Sequence, residues 1–195
     1  MSRPTVRRAI GDLAARGLLV RRRGIGTTVA KAVVHRRKDL AGLFDDLVRE
    51  GRTPLTEVLA FEPGRSNPEV ARILGLEPDT PLVHLERLRS VEEGPVAVLR
   101  NWLPPQWADL DPGELTGRGL FSILRSHGVV PAVAQQAIGA RPADEAERRL
   151  LRLGHDVAVL TMSRRTYDAA GTPVEFADHC YRHDRYRFDV TVYAT

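Results

Sequence analysis

Two stretches of this chain, PEVARILGLEPDTPLVHLERLRSVEEGPVAVLRNWLP and ADEAERRLLRLGHDVAVLTMSRRTYDAAGTPVEFADHCY, run through the same order of features. Each opens with a short helical pattern and continues into an apolar strand bearing arginines. Each then turns at a glycine followed by Pro-Val and returns as a second strand. Arg87 and Arg164 lie 77 positions apart, and Pro95 and Pro173 lie 78 apart. Two copies of helix–strand–turn–strand predict an α+β domain, pseudo-symmetric about an antiparallel sheet. Further helices are expected at 40–49 and 120–126, and further strands at 55–61, 130–140 and 188–193.

Charge divides the chain ahead of this repeat. Residues 1–38 hold 11 Lys/Arg and one acid, Asp12, for a net +10, while the remainder is −6. A small basic unit on a mildly acidic body points to a polyanion-binding part joined to a part with another task. A solvated basic tail is the competing reading, and the order within the segment argues against it. Val6, Ala9, Ile10, Leu13 and Ala14 form an apolar stripe at helical spacing, with Ser2 as N-cap and Gly17 as stop. Residues 18–23 and 27–30 then flank Gly24-Ile25-Gly26 as a hairpin. Helix plus hairpin is the back half of a winged helix-turn-helix, whose recognition helix enters the major groove. The expected organisation is therefore 1–30 for a partial DNA-binding unit, 31–38 for a basic linker (KAVVHRRK) and 39–195 for the α+β body.

Several chemistries find no support. No uncharged apolar run approaches the ~18 residues of a membrane helix, and Arg3, Arg7 and Arg8 interrupt any signal-peptide core. A cytoplasmic protein that does not contact the membrane is expected. The single cysteine, Cys180, excludes an internal disulfide and a cysteine-rich zinc site. The histidines show no metal-ligand spacing, so neither metal nor cofactor is expected. His179 and Cys180 are adjacent, but neighbours on a strand point to opposite faces and do not meet. Asp178 and Glu175 are separated in the same way, and no acid–base constellation emerges.

The same alternation gathers a different set. Glu175, Ala177, His179 and Tyr181 share one face of the 173–181 strand, and Arg87 and Arg89 share a face with Val83 and Leu85. Paired guanidiniums suit a carboxylate or phosphate. An acid and a phenol suit hydroxyl or amine groups. The plainer alternatives are exposed cross-strand ion pairs for the arginines and ordinary sheet-face positions for Glu175 and Tyr181.

The segment SRPTVRRAIGDLAARGLLVRRRGIGTTVA resembles the second half of the DNA-binding domain of GntR-type bacterial transcription regulators. That resemblance implies contacts to operator DNA from Ser2, Arg3, Thr5 and Arg7 at the recognition helix, and from Arg23 and Gly24 at the wing tip. Two helices precede this point in the family, and Met1 falls where a valine is common, which implies a valine codon read as the initiator. The body, through its R-L-R…G-P-V hairpin, NWLP, AD-EAERRL and GTPVEFADHCYRHDRYRF, resembles the UTRA effector-binding domain of the HutC branch, which shares its fold with chorismate lyase. The resemblance implies an effector pocket lined by Arg87, Arg89, Glu175 and Tyr181, with His179 on the same face. It further implies a homodimer and a repressor released by a small, anionic effector. Gly119-Leu120-Phe121 stands where sugar-phosphate-binding members carry Ser-Leu-Tyr, and Leu99 where many carry glutamate. Both departures favour a simple anionic or more apolar metabolite. The alternatives are a UTRA-like ligand-binding module without DNA binding and, behind it, a chorismate-lyase-like enzyme.

Overall fold

The computed structural model describes residues 5–6, 19–22, 26–29, 34–36, 40 and 42–188. Of the expected DNA contacts, Thr5 lies in a helical turn with Val6, both exposed. Ser2, Arg3, Arg7, Arg23 and Gly24 lie outside the described residues. Strands β1 (Leu19–Arg22) and β2 (Gly26–Val29) pair antiparallel from Leu19↔Val29 to Arg22↔Gly26, the hairpin that the glycine spacing predicts. Within the stretch read as a linker, Val34–Arg36 forms a short strand, β3.

The body follows as α1 (Leu43–Arg49), β4 (Leu55–Arg65), α2 (Pro68–Ile73), β5 (Leu82–Val91) and β6 (Gly94–Leu103). After a 3-10 turn at Pro105–Trp107 come α3 (Glu114–Gly117), α4 (Leu120–Ser126), β7 (Pro131–Pro142), α5 (Glu145–Leu151), β8 (Ala158–Asp168), β9 (Pro173–Arg182) and β10 (Tyr186–Phe188). The repeat is one strand longer than the sequence reading, because β4 precedes α2 as β7 precedes α5. The six strands form one antiparallel sheet in the order β4-β5-β6-β9-β8-β7. The two halves therefore meet at β6–β9, in the register Leu99↔His179 and Asn101↔Ala177. Separately, β10 pairs in parallel with β3, Tyr186 opposite Val34.

Local chemistry sets the boundaries. Asn67 caps α2 by accepting from the Val70 N–H, and Pro68 occupies the first turn, where a missing N–H does no harm. Gly94 opens β6 with φ +114°, a conformation that side chains rarely adopt, directly after the Glu92–Glu93 turn. The AD-EAERRL motif is a capping box: Asp144 accepts from Glu147 N–H at 2.8 Å, and Glu147 accepts from Asp144 N–H at 3.1 Å.

Helices cover both faces of the sheet. On the back, α2 buries Val70 and Ala71 with Leu74 against Leu82, and α5 buries Leu151 against Val98, Val159 and Cys180. On the front, α4 brings Leu120, Phe121, Ile123 and Leu124 onto Val83, Leu85 and Leu103. Helix α1 brings Leu43 and Leu47 onto Val91, Ala97, Leu99 and Met162. The two front clusters are distinct, and a row of polar side chains runs between them.

Candidate functional site

That polar row lines a cavity of about 370 Å³, counting its open mouth. Its walls are Gly42, Leu43 and Phe44 from the start of α1, Gly119, Leu120 and Phe121 from the start of α4, and the front face of the sheet. The sheet contributes Arg87 and Arg89 from β5, Leu99 and Asn101 from β6, Arg164 from β8, and Glu175, His179 and Tyr181 from β9. All five residues singled out by strand alternation and resemblance line it. Asn101 and Arg164 line it as well, although the sequence reading assigned them no place there.

Burial separates these arginines from ordinary surface ion pairs. Arg87 and Arg89 are 3% and 1% exposed, so the wet-face alternative does not describe them. Arg87 Nη2 donates to Asn101 Oδ1 at 2.5 Å, and Arg89 Nη1 donates to Thr56 Oγ1. Neither is ion-paired to a carboxylate among the described residues, and each keeps a buried Nε without a hydrogen-bond partner there. The Arg89 guanidinium lies 4.9 Å from the centre of the Phe44 ring, a cation–π contact strengthened where water is excluded. Burial pushes Arg87 down to about 10 and Arg89 down to about 9. Glu175 works against the shift at Arg87, and the Arg87 charge adds to it at Arg89.

Glu175 is fully buried, and both of its carboxylate oxygens are engaged. Arg164 donates to Oε1 through Nη2 at 2.7 Å and Nε at 3.1 Å, and Thr166 Oγ1 donates to the same oxygen at 3.0 Å. Asn101 Nδ2 donates to Oε2. Arg164 also stacks over Phe121, 4.7 Å from the ring centre. His179 Nδ1 lies 3.0 Å from Tyr181 Oη, and its Nε2 lies 3.4 Å from Asn101 Oδ1. Asn101 therefore links Arg87, Glu175 and His179. Its sequence signal is modest: it follows Ala97 and Leu99 on one strand face, just before the Trp-Leu that ends β6.

On the opposite face, Glu147 is buried and bridges three elements. Arg141 grips it through Nη1 and Nη2 at 2.6 and 2.7 Å, and Arg100 Nη1 donates at 3.0 Å. Burial works to raise the Glu147 carboxyl, but these guanidiniums and the Asp144 N–H hold it at about 2. Cys180 lies on this side too, buried and pushed up to about 12 by desolvation. A thiol held so high is a packing group, and His179 faces the other way. Among the described residues, no group of three or more His, Cys, Asp or Glu is placed to hold a metal ion. Nor is any helix there long and apolar enough to cross a membrane.

The UTRA domain family model matches residues 49–187. The transcriptional repressor NagR of Bacillus subtilis is 30% identical over 190 residues, covering 96% of this chain and 78% of that protein. The transcriptional regulator GgaR of Escherichia coli is 28% identical over 189 residues, covering 96% and 75%. Among solved structures, PhnF from Mycobacterium smegmatis superposes with a TM-score of 0.87 at 24% identity, covering 100% of this chain and 87% of that one. A transcriptional regulator from Streptomyces coelicolor gives 0.66 at 40% identity, covering 71% and 92%.

Proposed function

The chain belongs to the UTRA-domain family of GntR-type transcription regulators, and from that premise we propose that its front-face cavity is the effector site through which a small anionic metabolite controls operator binding. The observation that carries this reading is the pair Arg87 and Arg89. They are two buried guanidiniums, side by side on β5, facing a cavity and lacking a carboxylate partner among the described residues. A folded protein rarely keeps such charges under cover without a counter-ion, because desolvation opposes it. An incoming anion supplies that counter-ion.

In this reading Arg87 and Arg89 bind the anionic group, and Tyr181, His179, Glu175 and Asn101 form the polar wall around it. Ser2, Arg3, Thr5, Arg7, Arg23 and Gly24 contact operator DNA. The chain works as a homodimer in the cytoplasm, as a repressor that the effector releases, with residues 1–30, 31–38 and 39–195 as its DNA-binding unit, linker and effector domain. A second copy has a ready place to dock at β7. This strand closes the sheet on one side and exposes Val133 at 59% and Ile138 at 46%. Catalysis has no place in this reading: the high thiol of Cys180 and its position on the face opposite His179 argue against that pair as a nucleophile and its base.

The test is fluorescence anisotropy on duplexes selected from genomic fragments. Binding is expected to weaken steeply as salt rises, and a metabolite that raises the melting temperature is expected to release the duplex. Release that persists unchanged in Arg87→Ala contradicts this placement of the site.

A further inference from the structure

Asn101 and His179 lie 78 positions apart, the same interval as Pro95 and Pro173, so they hold matching places in the two halves. They meet diagonally across the β6–β9 junction, on the face that lines the cavity. Their contact decides where protons sit in the cavity wall. The Asn101 amide has one orientation open to it. Its Oδ1 accepts from Arg87 Nη2 at 2.5 Å, and its Nδ2 donates to Glu175 Oε2. Reversing the amide would set N–H against a guanidinium and oxygen against a carboxylate. His179 Nε2, 3.4 Å from that same Oδ1, therefore faces an acceptor and carries a proton. In the neutral ring Nδ1 is then unprotonated, and it accepts from Tyr181 Oη at 3.0 Å. The Met162 sulfur, 3.9 Å from the same hydroxyl, is a weak acceptor and competes poorly for its proton.

We propose that Asn101 is a positioning residue that, through His179, fixes Tyr181 as a hydrogen-bond acceptor towards the cavity. This wall then selects an effector that bears an N–H or O–H group at that place. The proposal rests on the reading of the cavity as the effector site, and it adds a rule for the part of the ligand beyond its anionic group. A phenol has one proton to give, and here it goes to Nδ1. A ligand that reaches Tyr181 Oη therefore meets lone pairs. A hydroxyl or ammonium group finds its partner there, whereas an ether or carbonyl oxygen sets acceptor against acceptor and leaves both unmatched. Polar groups buried without a match carry the largest discrimination between ligands of similar shape. The apolar part of the wall, Leu43, Phe44, Leu99, Leu120 and Phe121, holds no side-chain donor to take the phenol's place.

Long-range nitrogen–proton spectra of the full chain, isotope-labelled on histidine, test the proton assignments without any ligand. The chain has six histidines, and the signals lost in His179→Leu identify the ring concerned. At about pH 8, where histidine is ordinarily neutral, His179 is expected in the Nε2–H form alone. Its Nδ1 resonance is expected to move in Tyr181→Phe, and its Nε2 resonance in Asn101→Leu. Calorimetry with hydroxyethyl phosphate and methoxyethyl phosphate then tests the selection. The first presents a hydroxyl, and the second an ether oxygen at the same reach. The wild type is expected to favour the hydroxyl by roughly tenfold or more. In Tyr181→Phe and in Asn101→Leu that ratio is expected to fall to about twofold or less. Because the readout is a ratio, any change in the hold on the phosphate that both probes share cancels.

An Nδ1–H ring in the wild type, or an Nε2 resonance indifferent to Asn101→Leu, overturns the relay and the proposal with it. So does a wild type that binds the two phosphates equally, or a preference that survives in Tyr181→Phe. Should Asn101→Leu fail to fold with Arg87 and Glu175 left unmatched, His179→Leu removes the ring instead. Tyr181 then has no ring nitrogen to hold its proton, and the preference is expected to fall to about twofold or less. A preference kept at the wild-type ratio in that variant overturns the role of the relay. If neither phosphate binds, the selection rule is overturned, while the effector reading is judged separately. It stands if a metabolite that releases the duplex from the wild type no longer does so in Arg87→Ala, and it falls if release persists.

Discussion

Tyr181 and Tyr186 stack face to face, with ring centres 4.1 Å apart and planes inclined by 15°. Tyr181 forms part of the cavity wall, and Tyr186 begins β10, whose backbone pairs with Val34–Arg36. Phe188 closes the group edge-on against both rings, at 5.7 and 4.8 Å. The wall of the cavity and the strand that meets the 34–36 segment are thus joined by two aromatic contacts, Tyr181–Tyr186 and Tyr181–Phe188. Such pairs contribute about 0.5–1.5 kcal/mol beyond the area they bury. Tyr186→Leu is accordingly expected to lower the denaturant midpoint by at least that much in free energy, with the slope of the transition unchanged. An unaltered midpoint means that the stack adds nothing to stability.

Leu99 occupies the position directly across from Arg87, and both face the cavity. Placing a carboxylate there, as Leu99→Glu, supplies from within the protein the counter-ion that Arg87 lacks. Binding of an anionic effector found by thermal-shift screening is expected to fall by roughly tenfold, while the fold survives because the new charge is born beside a cation. Unchanged affinity for that effector in calorimetry contradicts the account of a cavity whose arginines lack a counter-ion.

Acid stability follows from Glu147. Its folded carboxyl sits at about 2 against an ordinary value of 4.5, so the folded state binds its proton less readily than the unfolded state. The resulting stabilisation is complete above the ordinary value and is lost as pH falls towards the folded one. Glu147→Gln is expected to cost about 3–5 kcal/mol at neutral pH, since Arg141 and Arg100 lose a buried partner. The variant should also flatten the decline of melting temperature between about pH 5 and pH 2. Wild-type and variant melting curves that fall in parallel over that interval rule out Glu147 as the source.

The repeat made much of this fold legible. Arg87 and Arg164, 77 positions apart, occupy matching strands β5 and β8, and the helix expected at 120–126 is the observed Leu120–Ser126. Strand alternation put His179 and Tyr181 on one face, and both line the cavity. The helix expected from residue 40 begins at Leu43, where Asp45 reaches back to the Gly42 N–H. The strand expected to end at Phe61 runs on to Arg65 through irregular pairing between Glu62 and Arg65, which no local pattern announces. Of the strand expected at 188–193, only Phe188 is among the described residues, as the last residue of β10. The environment of Glu175 was not legible for a deeper reason. Its partner Asn101 is 74 positions away, across the β6–β9 junction between the two halves. Alternation gives the face of a residue, but the register between halves decides its neighbour.

Thermal-shift screening of a metabolite collection against the wild type and Arg87→Ala in parallel tests the central claim most directly. The account predicts anionic compounds that raise the wild-type melting temperature and leave Arg87→Ala unmoved, both proteins being folded at the start of the scan. Compounds that stabilise the two proteins equally would place the effector outside the cavity and contradict the account.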